Sequence, residues 1–165
     1  MDKKKKLVTL DTNLLQEYWK ERPKKETVEK LIFLSKQDEI DLVVTARIRE
    51  DIPRKPLSDK INKLEELNIA ETGSVTRLGC WVLGRDSLGD QNFVDFFQEI
   101  IKDPEINIKN PPDWRDLDHL HAHYIQKRDL FLTWDNGILY FRDIFKNNFE
   151  LIIQKPEEFL KGLRG

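Results

Sequence analysis

The chain has 165 residues, 35% of them charged and 39% hydrophobic, with a net charge of −2 at pH 7. That length suits one globular domain with a sizeable core, and the near-neutral balance excludes a globally basic nucleic-acid-binding chain. The single cysteine, Cys80, excludes an internal disulfide and a cysteine-based zinc site, and no apolar run spans a bilayer or forms a signal peptide, so a cytoplasmic setting without membrane attachment is expected.

Residues 3–6, all lysine, precede a first strand at 7–10, and "LVTLDTN" carries that strand straight into Asp11. A short helical piece begins near Leu14. A fuller helix runs from about Thr27, with Val28, Leu31, Ile32 and Leu34 on one face. The second strand is "IDLVVT", residues 40–45, followed by a helix start carrying Ile48 and Ile52 that Pro53 and Pro56 break. In "SDKINKLEEL", Ser58 is placed to cap a helix with Ile61, Leu64 and Leu67 at helical spacing. "NIAET" reads as a short third strand, and residues 73–89 are glycine-studded without a clear period.

"DQNFVDFFQEIIKD" sets Phe93, Phe96, Phe97, Ile100 and Ile101 along one helix face, a stripe that suits a core and leaves a homodimer seam open. A loop then leads to a helix from near Asp113. The fourth strand, "LFLT" at 130–133, is apolar on successive residues, as in a parallel sheet covered on both faces. It ends on Asp135, before Asn136-Gly137, a turn signal. "FELIIQ" supplies a fifth strand, and Pro156 opens a closing helix. Strands alternating with helices predict an α/β fold of three layers, α/β/α, around a central parallel sheet in one domain over residues 1–165.

Twice a strand ends on an aspartate, and in open α/β sheets ligands bind beyond the strand C-termini. Helices that follow a strand start at the same edge. Asp11 and Asp135, the Glu50/Asp51 pair and the Asp116/Asp118 pair are therefore expected on one rim. Taken singly, each acid also reads as an ordinary cap or turn residue. Together they would repel one another unless a cation joins them. An all-oxygen set suits Mg²⁺ or Mn²⁺ rather than zinc, and the chemistry it suits is hydrolysis of a phosphodiester. An acidic site grips a polyanion only with cations beside it, and Arg47, Arg49, Arg54, Lys55 and Arg115 lie near these acids in sequence.

"LDTNLL", "VVTARIREDI" and "DLDHLHAHYIQKRDLFLTWDNGIL" together resemble the PIN-domain nucleases. The resemblance covers residues 7–52 and 114–160 and leaves about 53–112 as an expected family-specific insertion. Its strongest part is Asp116, then His119, then a strand ending Thr133-x-Asp135. It implies a PIN-like fold and a metal-dependent endoribonuclease, often the toxin of a toxin–antitoxin pair. Asp11, Asp51, Asp116 and Asp135 would be metal ligands and catalytic. Asn13, Thr133 and His119 would support them, with Glu50 and Asp118 as alternates in register. His121 and His123 depart from the pattern, standing where that helix usually carries small residues.

Other readings fit less well. A haloacid-dehalogenase-type phosphatase needs an acid where Asn13 stands, and a response-regulator receiver needs an acid pair at the first strand. No glycine-rich phosphate loop is present. The alternative is a PIN-like module that binds RNA or a partner protein without cleaving.

Overall fold

The computed structural model describes residues 5–73, 75–76, 87–88, 90–103 and 106–163. Cys80 and most of the glycine-studded stretch lie outside them. The central sheet contains β1 (Lys6–Leu10), β2 (Ile40–Thr45), β3 (Ile69–Thr72), β6 (Leu130–Leu132) and β7 (Ile153–Gln154) in the order β3-β2-β1-β6-β7, every pair parallel. Between them in the chain, β4 (Val75–Thr76) and β5 (Ser87–Leu88) form a small parallel pair of their own. The three-layer α/β/α architecture is the one the alternation of strand and helix predicts.

Side-chain alternation explains the layers. Val8, Leu10, Leu42, Val44, Leu130 and Leu132 project to one face. There they meet α1 (Thr12–Trp19), α2 (Lys25–Lys36), α3 (Ile48–Asp51), α4 (Leu57–Ile61) and α9 (Pro156–Leu163). Phe131 and Ile153 project to the other face, against α5 (Gln91–Ile101), α6 (Trp114–Ile125), α7 (Asn136–Tyr140) and α8 (Arg142–Phe149). A strand buried on both faces is why β6 is apolar at consecutive positions. No helix among the described residues is long and apolar enough to cross a membrane.

The aromatic stripe of α5 is used inside the chain. Phe93 stacks on His121, Tyr124 and Phe145 at centroid distances of 5.1, 4.9 and 5.8 Å, and Phe97 is fully buried. Residues 53–112 supply this helix and the edge strand β3, so both are built into the core and the sheet.

Two local expectations differ from the structure. "SDKINKLEEL" divides into α4 and a 3₁₀ turn at Leu64–Leu67, and Ser58 lies inside α4 behind Pro56, with no side-chain cap bond at that end. Asn136-Gly137 is not a turn: it is the start of α7, capped by Asp135, whose Oδ1 accepts the Ile138 N–H at 3.1 Å. A strand tip followed by a capping aspartate enters a helix directly. The glycine serves a close approach instead. A Cβ at Gly137 would overlap the carbonyl oxygen of Asn110 and lie 3.3 Å from the Pro112 nitrogen. Gly137→Ala is expected to cost about 1–3 kcal/mol in a urea melt, because the neighbour in the way is rigid backbone.

Strand order has one consequence for function. The chain builds outward from β1 through β2 to β3, then returns to the other side of β1 with β6 and β7. The reversal lies between β1 and β6, and the crevice beyond the C-terminal ends of those two strands is where such sheets bind ligands.

Candidate functional site

Asp11 stands at the tip of β1 in that crevice. Its N–H donates to the Leu132 carbonyl at 3.0 Å, stitching it to β6. It occupies the N-cap position of α1, yet its side chain makes no cap bond. The carboxylate turns instead to the β6 side. Oδ2 accepts from Thr133 Oγ1 at 2.6 Å and from Asn13 Nδ2 at 2.9 Å. Thr133 Oγ1 in turn accepts from Asn13 Nδ2 at 3.2 Å and from the Asp135 N–H at 2.9 Å. Asn13, Thr133 and Asp135 therefore form one hydrogen-bonded group with Asp11, which is only 6% exposed. Burial raises its pKa and Asp135 adds to the shift, against the lowering influence of His119 and Thr133.

Asp116 reaches the rim from the first turn of α6. Asp113 caps that helix by accepting from the N–H groups of Arg115 and Asp116, while Asp116 Oδ2 accepts the Asp113 N–H at 2.7 Å, a complete capping box. Burial raises the Asp116 carboxyl to about 7, and the charges of Asp11, Asp135 and Asp113 push the same way. Three acids from three elements thus share one electrostatic environment. The capping box also fixes the register: Leu117 and Leu120 are buried, and Asp118 lies on the other side of them.

Asp51 is tied to the same rim through a different set of contacts. Its Oδ2 accepts from Thr12 Oγ1 at 2.8 Å and lies 2.7 Å from His119 Nε2, and His119 Nδ1 is 2.6 Å from Thr45 Oγ1. His119 is fully buried. Desolvation lowers its pKa, but the hydrogen bond to Asp51 and the charges of Asp11, Asp51 and Asp116 outweigh that and raise it. Asp51 is lowered: burial opposes its ionisation, and His119, Thr12 and Arg47 overcome it. Nε2 is placed to donate to Asp51, and Nδ1 shares a hydrogen bond with the Thr45 hydroxyl. His119→Ala would strand the Asp51 carboxylate in a half-buried place, and a loss of about 2–4 kcal/mol is expected in denaturant melts.

The other sequence-flagged residues separate clearly. Arg47 is consumed by acids, contacting Glu50 at 2.6 Å, Asp118 at 3.1 Å and Asp51 at 3.4 Å. Glu50 and Asp118 are therefore partners of Arg47. Arg49 clasps Glu71 with contacts of 2.6 and 2.8 Å and also reaches Asn62. Arg47 and Arg49, expected to grip RNA, are thus each engaged by carboxylates of this chain. Lys55 makes a loose surface pair with Asp59, while Arg54 and Arg115 are exposed without an ion pair among the described residues.

The two unexpected histidines are structural. His121 stacks on Phe93 and accepts the Asp90 N–H at 2.8 Å. His123 packs edge-on to Phe131 and bonds Thr9, and burial holds it neutral with a pKa near 3. Thr12, Thr45 and Gly137 take part in the site or its support without being singled out by sequence; only the strand-end position of Thr45 offers a signal.

Among the described residues, no three His, Cys, Asp or Glu side chains stand arranged to hold an ion. Asp116 Oδ2 accepts the Asp113 N–H, Asp135 Oδ1 accepts the Ile138 N–H, and Asp51 is held by Thr12, His119 and Arg47.

No family model matches the chain, and no curated protein matches it. Its fold is similar to that of the crystal structure of VapBC2 from Rickettsia felis bound to a DNA fragment from their promoter. The TM-score is 0.52 with 14% sequence identity, over 90% of this chain and 98% of that chain. At that identity the likeness is one of fold, and the fold is PIN-like.

Proposed function

We propose that this chain is a metal-dependent endoribonuclease in which Asp11, Asp116 and Asp135, joined by Asp51, hold Mg²⁺ or Mn²⁺ and present it to an RNA phosphodiester. The observation that carries the proposal is Asp11. A buried carboxylate that sits at a helix N-cap, does not cap and is instead oriented by Thr133 and Asn13 faces two further acids across the sheet's switch point.

The residues present fit a hard divalent cation. The donors are all oxygen. Two carboxyls are raised by burial and mutual repulsion, a cost that a cation relieves. Asn13 Oδ1, beside Asp11, is buried and has no hydrogen-bond partner among the described residues. A bound divalent cation would neutralise charge on the scissile phosphate and make a bound water more acidic. The chain's own part is to orient. Thr133 and Asn13 hold the Asp11 carboxylate, His119 and Thr12 hold Asp51, and the N-termini of α1 and α6 add positive potential for an anionic substrate.

The fold likeness to VapBC2 is in keeping with a role as the toxin of a toxin–antitoxin pair with an antitoxin protein as partner; the cytoplasm is the compartment this reading takes. A second reading, a PIN-like module that binds RNA or protein without cleaving, draws on the absence of a ready three-ligand arrangement among the described residues. Calorimetric titration with Mn²⁺ separates the two. The nuclease reading expects uptake by the wild-type protein that Asp11→Asn weakens at least about tenfold. Absence of carboxylate-dependent uptake leaves the binding module.

A further inference from the structure

Several cations around the rim are already engaged. Arg47 and Arg49 are held by carboxylates on the α3 side. In the connection between α1 and α2 and at the start of α2, Arg22 meets Glu17 at 3.1 Å, and Lys25 meets Glu21 at 3.3 Å and Glu29 at 3.6 Å. Lys24, between them, is exposed and makes no ion pair among the described residues. Its ammonium lies instead 4.7 Å from the centre of the Trp134 ring.

Trp134 is the residue between Thr133 and Asp135, so this ring stands just beyond β6 at the sheet's C-terminal edge. Its body packs on the core of the layer that holds α1, α2 and α9. Its Nε1–H donates to both oxygens of Glu157, in the first turn of α9, at 3.0 and 2.9 Å. The indole is thus fixed by core and carboxylate, and Lys24 rests on its face. Alternation along the strand sets Trp134 opposite Thr133, whose hydroxyl holds Asp11. Lys24 therefore stands across the strand tip from the acids and not among them. A cation among the acids pairs with them, as Arg47 does with Asp51. One held by an uncharged ring keeps its charge for a polyanion.

We infer that Lys24, seated on Trp134, binds an RNA phosphate next to the one at the acidic rim, so that the strand crosses the α1–α2 connection. This rests on the nuclease reading above and adds to it a residue that grips the substrate and the direction the substrate takes. Trp134 is a positioning residue that acts through Lys24.

The test uses the full chain and a labelled single-stranded RNA of mixed sequence, bound in EDTA across a range of salt and followed by fluorescence anisotropy. Lys24→Gln should lower the slope of log affinity against log salt by about 0.7, the share of one single-strand phosphate. Lys24→Arg should keep the slope, and so should Lys25→Gln, because Glu21 and Glu29 already neutralise Lys25. Trp134→Leu should weaken binding by about two- to fivefold in the wild-type background and change nothing further in Lys24→Gln. An unchanged slope in Lys24→Gln, an equal fall in Lys25→Gln, or no measurable binding by the wild-type protein at low salt overturns the assignment. An equal loss from Trp134→Leu in both backgrounds overturns the role of the ring. Should Trp134→Leu fail to fold, the Lys24 and Lys25 variants decide alone. Cleavage of the same RNA in Mn²⁺ is read separately: if the wild-type protein cleaves none, the nuclease reading fails while the salt slopes still decide whether Lys24 grips RNA. If it cleaves, Lys24→Gln should raise KM and leave kcat near the wild-type value.

Discussion

Replacing Asp11 and Asp135 together by asparagine should reduce Mn²⁺-dependent RNA cleavage at least about 10²-fold while the protein stays folded, because two of the charges that would hold the cation are gone. Both substitutions preserve shape. An asparagine at 135 can still accept the Ile138 N–H, and one at 11 can still accept from Thr133 and Asn13. Cleavage by the double variant at the wild-type rate, at equal purity, would sink the assignment. The α6 acids give a sharper comparison. Asp116 shares the environment of Asp11 and Asp135, whereas Asp118 accepts from Arg47 at 3.1 Å on the far side of Leu117. Asp116→Asn should therefore abolish cleavage and Asp118→Asn should leave most of it. The reverse outcome would shift the acidic motif by two residues.

The same Asp116 should make the metal-free protein less stable as pH rises. Its carboxyl is raised from 3.8 to about 7, first by burial and then by Asp11, Asp135 and Asp113. Between those values the folded chain keeps a proton that the unfolded chain has released. Stability contributed by this group is therefore full at the acidic end and declines as pH climbs toward about 7. Asp11, also raised, adds in the same direction. Asp116→Asn removes the charge, so in EDTA at about pH 8 it should melt higher than wild type by roughly 2–4 °C, the equivalent of about 1 kcal/mol for a chain of this size after allowance for solvent screening. At about pH 3 the difference should nearly vanish, since the wild-type carboxyl is then mostly protonated in both states. Mn²⁺ should raise the wild-type melting temperature more at the higher pH and leave Asp116→Asn nearly unmoved. A shift of equal size at both pH values would show that Asp116 does not titrate in the folded chain as its surroundings dictate. A substitution that stabilises the fold while removing activity is the usual mark of a residue kept for chemistry.

Much of this protein is legible along the chain. Strands that end on Asp11 and near Asp135, the α6 start at Asp113, and the alternation that defines α/β layers are all local, because backbone hydrogen bonding and side-chain period act over a few residues. The spacing from Asp116 to Thr133 and Asp135 is likewise set by one helix, one short loop and one strand. Local order also has limits, as Asn136-Gly137 shows: the dipeptide suggests a turn, while the Asn110 carbonyl packed against it explains why the position is glycine.

What the tertiary structure decided depends on distances between residues far apart in sequence. Sheet order places the switch point between β1 and β6 and so brings Asp11 to Thr133 across 122 positions. Burial depth, which no local pattern encodes, raised Asp11 and Asp116 and held His123 neutral. Charge behaved in the same way. Arg47 and Arg49 look like free cations beside an acidic motif until folding delivers Asp118 to one and Glu71 to the other, 71 and 22 residues away. His119 reads as one of three similar histidines on a helix, and folding distinguishes it by setting Asp51 on one ring nitrogen and Thr45 on the other. Residue type and period suffice to predict where the chain turns and which face is buried, whereas the energy of a charge is set by what surrounds it in space.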